Sequence, residues 1–158
     1  GRSLVMYKTF SPAMQEQLSH YAKQGRSLLV SGSFVGADMT EMSEQAFLSD
    51  VLKVRYGGSD RSTHGGQVRG LGGEFGFFDR MNEEHYAAPT PDILQPLSPA
   101  ICAMLYGDGH SAAVAYSGKD YRCFTMGFPF ECLKSAQDQG HLMRGIMGYL
   151  LKGKKVKR

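Results

Sequence analysis

A serine beside glycines, a histidine in a turn and a carboxylate at the end of an apolar run are the residues of this chain whose types could carry acyl transfer. The serine is Ser33, in Ser31-Gly32-Ser33-Phe34-Val35-Gly36, where the glycines would let a backbone amide approach a developing oxyanion. The histidine is His110, in Gly107-Asp108-Gly109-His110-Ser111, where it could act as a base. The carboxylate is Glu131, which follows Gly127-Phe128-Pro129-Phe130 just after the apolar stretch 121–126. Such a strand-to-helix junction is where open α/β sheets keep their chemistry. Against a serine nucleophile, the turn is not Gly-x-Ser-x-Gly, and His110 stands in a turn expected to face solvent. The competing reading is structural. Ser31 and Ser33 would hydrogen-bond within a tight turn, Gly32 and Gly36 would supply backbone freedom, and Glu131 would accept backbone N–H groups at the start of the last helix.

Other chemistries find less support. His64, Asp79, Glu83, Glu84 and His85 fall close together, but no His-x-x-x-His spacing is present and a polar loop gathers such residues by chance, so no metal is expected. The glycines at 65, 66, 70, 72 and 73 lack the Gly-Lys-Ser/Thr of a phosphate loop and the spacing of a dinucleotide fingerprint, so no cofactor is expected. Cys102, Cys123 and Cys132 are too few for a disulfide framework and lack CxxC spacing; they read as small buried hydrophobes, although one pair could be oxidised. Phe75, Phe77, Phe78, Tyr86 and Tyr106 could stack on sugar rings if exposed, though most are expected to fill the core.

The elements that must position these residues follow from the pattern. Ser11-Pro12 is an N-cap with proline at the first helical position, and Met14, Leu18, Tyr21 and Ala22 then share a face until Gly25. Residues 28–30 read as a short buried strand. Phe47, Leu48, Val51 and Leu52 mark a second helix, ended by Gly57-Gly58. A strand is expected at 67–71 and another within 74–79, whereas 87–99, with four prolines, reads as an irregular connection. Runs at 101–106, 112–116 and 121–126, separated by Gly-rich turns, form an antiparallel meander before a closing helix that carries Leu142, Met143, Ile146, Tyr149 and Leu150 on one face.

A chain of 158 residues, 42% hydrophobic, with 8 Tyr and 9 Phe and no apolar run of roughly 20 residues, fits one soluble domain over 1–158 that does not span a membrane. The net charge of +3 comes from the tail, since residues 152–158 carry five positive charges and the remainder is slightly acidic. A nucleic-acid-binding face is therefore not expected, and the tail reads as a frayed terminus. No signal peptide is visible in the opening residues.

Two stretches, Ser27-Leu28-Leu29-Val30-Ser31-Gly32-Ser33-Phe34-Val35-Gly36-Ala37-Asp38 and Gly127-Phe128-Pro129-Phe130-Glu131, resemble the class I glutamine amidotransferase-like superfamily, in the variant found in bacterial surface proteins called xanthan lyases. The resemblance implies a flavodoxin-like α/β fold: a mixed sheet with helices on both faces and antiparallel strands near the C-terminus. Only residues 3–7 and one helix precede Leu28, so the first strand–helix units either lie upstream or are missing. An abbreviated sheet would leave an edge that a second copy could cover, making a homodimer. In such a family the turn at Gly32, Ser33, Phe34 and Gly36 would carry a cysteine, and the position of Pro129 a histidine. Both are absent, so Glu131 looks like the remaining member of a lost triad. The implied function is a non-catalytic binding or scaffolding module of a secreted, surface or periplasmic glycan-associated protein, partnered by the other domains of a larger chain and by polysaccharide. The alternative is a polysaccharide lyase or serine hydrolase using Ser33, Glu131 and His110.

Overall fold

The computed structural model describes residues 10–33, 35–60, 64–80 and 87–152. Residues 3–7, Phe34 of the turn, Glu83, Glu84, His85 and Tyr86, and all but Lys152 of the basic tail lie outside the described residues.

The first helix, α1 (Pro12–Lys23), starts as its sequence dictates: Pro12 occupies the first turn, and the Ser11 side chain accepts the Met14 amide at 3.2 Å. It ends before Gly25, whose φ of +78° lets the chain turn back into β1 (Leu28–Ser31). The second helix, α2 (Met42–Phe47), is opened by a capping box between Glu41 and Glu44 and continues as one π turn (Leu48–Leu52). It stops at left-handed Lys53, ahead of the expected Gly57-Gly58, which instead lie in β2 (Val54–Ser59). A side chain at Gly57 would stand 3.0 Å from Ile93 Cγ2, so the glycine serves close cross-strand packing here.

The partner of β2 is β5 (Asp92–Pro96), running antiparallel to it in a two-stranded ribbon. This strand lies inside the stretch read as irregular. Its prolines bracket it, with Pro91 before the first residue and Pro96 at the last, so none removes a hydrogen bond from its middle.

The main sheet has the order β1-β8-β7-β6-β3-β4. In it, β3 (Gln67–Gly70) and β4 (Gly73–Gly76) form a hairpin through Leu71 and Gly72, with φ of 51° and 77°, as a two-residue turn of primed type requires. The expected meander stands as β6 (Ile101–Tyr106), β7 (Ser111–Ser117) and β8 (Arg122–Met126). A short 3₁₀ turn (Phe130–Cys132) then leads to α3 (Ala136–Leu150), which buries Leu142, Ile146 and Leu150 at helical spacing.

Both faces of the main sheet are packed. One face gathers Phe75, Phe77, Tyr106, Phe124 and Phe128 with the α3 residues, the other Leu28, Val30, Phe47, Leu52, Leu94 and Val114. Strand β7 is buried on both sides at residues 112–115, which explains its unbroken apolar run.

This topology overturns the flavodoxin-like expectation. Of the five strand pairings in the main sheet only β1 with β8 is parallel; the other four are antiparallel, giving a curled, mostly antiparallel sheet with few helices. The cause is in the connections. Turns as short as Leu71-Gly72 and residues 107–110 can join only antiparallel neighbours, whereas parallel strands need long crossovers. Among the described residues no helix is long and apolar enough to cross a membrane.

Candidate functional site

The end of the sheet where β1 and β8 finish is where the sequence placed its chemistry, and there the chain is stitched shut. The Gly127 amide donates to Ala112 O at 2.9 Å, and Gly127 O accepts the Asp92 amide at 2.8 Å, which brings the start of β5 across this end. A side chain at Gly127 would meet Asp92 O at 2.2 Å, so only glycine admits that approach. Beneath it Tyr106, Met126 and Phe128 are fully buried, with Phe128 stacked on Phe77 at 5.8 Å. The Tyr106 hydroxyl donates to Asp92 O at 2.7 Å.

Asp92 is the unusual group here. It is completely buried, yet its Oδ2 accepts the Gly36 amide at 2.7 Å and the Ala37 amide at 3.3 Å, and among the described residues its Oδ1 has no hydrogen-bond partner. Burial pushes its pKa up to about 7, with a smaller push from Asp38, against the lowering by the two amides. Burial, and after it the nearby charge of Asp92, Asp60 and Asp108, also drives the Tyr106 hydroxyl well above its ordinary value.

The sequence-predicted residues do not assemble into a triad. Ser33 is half-buried in the turn after β1, and among the described residues no hydrogen bond joins it to His110 or Glu131. Ser31, not Ser33, reaches the facing segment, its Oγ accepting the Phe130 amide at 3.3 Å. Gly32 lies in the same turn and is half-buried, while the buried Gly36 gives its amide to Asp92 and is not available to an oxyanion. Glu131 is exposed on the 3₁₀ turn, and the N-cap of α3 expected of it is Ser135, whose Oγ accepts the Asp138 amide at 2.9 Å.

His110 is exposed as expected, but it belongs to a cluster the sequence did not reveal. Its Nδ1 lies 3.3 Å from Asp60 Oδ2 and 3.2 Å from Asp108 Oδ2. Asp60 is buried at the end of β2, where its amide donates to Pro91 O at 2.8 Å, and Asp108 Oδ1 accepts the His110 amide at 3.1 Å. Hydrogen bonding to Asp108 is the largest influence raising the His110 pKa, and Asp60 adds to it against a smaller opposing effect of burial. Burial, followed by the neighbouring Asp108, raises that of Asp60 despite the opposing pull of His110. Asp60 follows Gly-Gly-Ser and carries no local signal; it meets His110 only through tertiary structure.

The remaining candidates are structural. His64 is buried, with Nδ1 accepting the Gly66 amide at 2.9 Å and Nε2 3.2 Å from Pro89 O, so both ring nitrogens are engaged. Phe75, Phe77 and Tyr106 are buried and cannot stack on a sugar, and the half-buried Phe78 is covered by Lys134, 5.7 Å away. All three cysteines are free, with Cys102 exposed. A cleft of about 640 Å³ opens between α2 and β2, lined by Met39, Met42, Leu48, Val54, Tyr56 and Leu97 among others, but not by Ser33, His110 or Glu131.

No protein-family model matches the sequence, and no curated protein does. Solved structures do share its fold. A β-galactosidase from the Antarctic haloarchaeon Halorubrum lacusprofundi matches over 87% of this chain and 20% of its own, with a TM-score of 0.59 and 16% identity. The exo-β-1,4-mannosidase Op5Man5 from Opitutaceae bacterium strain TAV5 matches over 87% of this chain and 22% of its own, with a TM-score of 0.55 and 12% identity. The N-terminal domain of mmIFT52 matches over 92% of this chain and 73% of its own, with a TM-score of 0.58 and 14% identity. The chain thus spans about a fifth of the length of the two glycosidases.

These neighbours, with the mostly antiparallel sheet, replace the amidotransferase-like and xanthan-lyase-like resemblance. The motifs that carried it are accounted for locally. Leu28 and Val30 are apolar because they face the core where β1 pairs with β8, and Gly127-Phe128-Pro129 is fixed by the approach of Asp92 and the Phe77 stack.

Proposed function

We propose that this domain is a non-catalytic scaffolding module of a larger, glycan-associated protein. One observation carries the reading: the crevice at the ends of β1 and β8 is filled, with Asp92, Tyr106, Met126 and Phe128 all fully buried. A hydrolytic site needs a nucleophile within hydrogen-bond reach of a base and a space for the reacting atom beside both. Ser33 has no histidine partner among the described residues, and His110 is engaged with two carboxylates. The glycan association draws support from the two glycosidases, large chains of which a fold like this one makes up about a fifth. Burial of Phe75, Phe77 and Tyr106 favours scaffolding over sugar stacking, and the partners of such a module are the other domains of its chain.

The test is turnover. The purified chain and its Ser33→Ala variant are incubated with activated aryl esters, aryl glycosides and a soluble polysaccharide. Rates at buffer background for both proteins are expected. An enzymatic rate in the parent that Ser33→Ala abolishes would overturn the reading in favour of the hydrolase.

A further inference from the structure

We propose that the outer edge of β2 takes up an extended peptide segment of a neighbouring domain as an added antiparallel strand, one whose side chains alternate between apolar and acidic. The scaffolding reading supplies only the source of that segment, another domain of a larger chain; the site itself stands on the geometry of β2.

The backbone of β2 lacks partners on one side. In an antiparallel pair, residues that exchange hydrogen bonds with the partner strand alternate with residues whose N–H and C=O point away from it. The Leu97 amide donates to Lys53 O at 2.9 Å, and Pro96, which stands opposite Val54, has no N–H. Residues 53 and 55 therefore bond toward β5, and the N–H and C=O of Val54 and Tyr56 point outward. Among the described residues no hydrogen bond satisfies these outward groups. Val54 is only 1% exposed, and main-chain groups left buried and unpaired are rare in folded proteins.

The cleft of about 640 Å³ runs along this same edge. Val54, Arg55 and Tyr56 all line it, although successive side chains of a strand point to opposite faces, so the strand meets the space edge-on. Its volume falls in the range of ligand sites, about 300–1,000 Å³. What the edge offers is one donor and one acceptor at every second residue. A peptide main chain presents the complementary set at the same spacing.

Side chains set the pattern of the segment. Val54 packs in one core cluster with Met39 and Leu48, and both of these line the cleft together with Leu97, so residues added opposite Val54 and Tyr56 must be apolar. Arg55 points to the other face of the strand. It is exposed, it is the only charged residue lining the cleft, and its Nε and Nη2 donate to Gln95 Oε1 at 3.1 and 2.9 Å. Among the described residues no carboxylate pairs with it, which favours acidic residues at the intervening positions. Residues 36–40 and α2 stand across the cleft, so the incoming strand must bring no sheet behind it. The β2 edge of a second copy, which carries β5, does not meet that condition.

The experiment uses the 158-residue chain and the acetylated, amidated peptide Thr-Val-Glu-Val-Glu-Val-Thr, followed by calorimetry and by amide exchange in NMR. Saturable binding below about 1 mM is expected, with the Val54 and Tyr56 amides gaining protection and the Arg55 amide protected before and after. N-methylation at the valines keeps every side chain but removes the donors that face β2, and is expected to weaken binding at least about tenfold. Arg55→Glu is expected to weaken this peptide about fivefold and to favour its Val-Lys counterpart. Absence of saturable binding, or equal affinity of the N-methylated peptide, would overturn the assignment. So would a dimer in sedimentation that shields the Val54 and Tyr56 amides, because the edge would then belong to a second copy. A chain that binds the peptide and also turns over a substrate would sink the scaffolding reading alone.

Discussion

The carboxylate of Asp92 accepts the backbone amide of Gly36 at 2.7 Å although the two residues are 56 positions apart. This contact fastens the turn after β1 to the first residue of β5, and with it the ribbon β2–β5 to the main sheet. Asp92 is further held through its own backbone, since its amide bonds to Gly127 O and its carbonyl accepts the Tyr106 hydroxyl. Three parts of the fold, the turn after β1, the end of β8 and the end of β6, therefore converge on one residue.

Because burial raises the Asp92 pKa from its ordinary 3.8 to about 7, the folded chain holds that proton more tightly than the unfolded chain does. The stability this contributes is fully present below about pH 4 and is lost as pH rises through about 7. The difference amounts to at most about 4 kcal/mol. In Asp92→Asn the amide oxygen can still accept from Gly36 and nothing titrates. Urea unfolding midpoints measured from pH 4 to 8 are expected to fall in the parent relative to the variant. Parallel curves for the two proteins would show that Asp92 has its ordinary pKa in the folded state.

Two glycines make an opposed pair. A Cβ at Gly127 would sit 2.2 Å from the Asp92 carbonyl oxygen, which is backbone and cannot swing away, whereas a Cβ at Gly148 in α3 meets nothing within 4 Å. Gly127→Ala is expected to cost on the order of 3 kcal/mol or to prevent folding, by forcing β5 away from β8. Gly148→Ala is expected to gain about 0.5–1 kcal/mol by removing backbone freedom from the unfolded chain and raising helix propensity. Chemical denaturation of both variants checks the signs, and a stable Gly127→Ala protein would mean that Asp92 does not approach as closely as described.

What the sequence could reveal was local. Ser11-Pro12 and Gly25 delimit α1, and the apolar runs around Met104, Val114 and Phe124, with Gly-rich turns between them, mark the meander, because each depends on neighbours a few residues away. Strand β5 was hidden because its prolines suggest irregularity until its pairing with β2, 33 to 42 residues earlier, is known. Gly57 and Gly58 look like a helix stop yet lie inside β2, where Ile93 leaves no room for a side chain at Gly57. His110 could be singled out by type, but Asp60, 50 residues before it, enters the cluster only through the folded arrangement. The fold class was misread for the same reason. The two motifs at residues 27–38 and 127–131 that suggest a flavodoxin-like sheet carry no information on strand direction, whereas the two-residue and four-residue turns force most neighbours antiparallel.

Thiol chemistry offers a probe that separates surface from core without any ligand. Cys102 is exposed on β6, its Sγ donating to Met104 O at 3.2 Å, while Cys123 and Cys132 are buried in the two apolar clusters on opposite faces of the sheet. Burial pushes the thiol of Cys123 up to about 12 and that of Cys132 up to about 11, so neither presents thiolate near neutral pH. With a disulfide reagent at pH 8, one thiol per native chain is expected to react rapidly and the other two only after unfolding in guanidinium. Cys102→Ser should remove the fast phase alone. Titration of fewer than three thiols in the denatured, unreduced chain would instead reveal an oxidised pair, which the separation of Cys123 and Cys132 onto opposite faces makes incompatible with this fold.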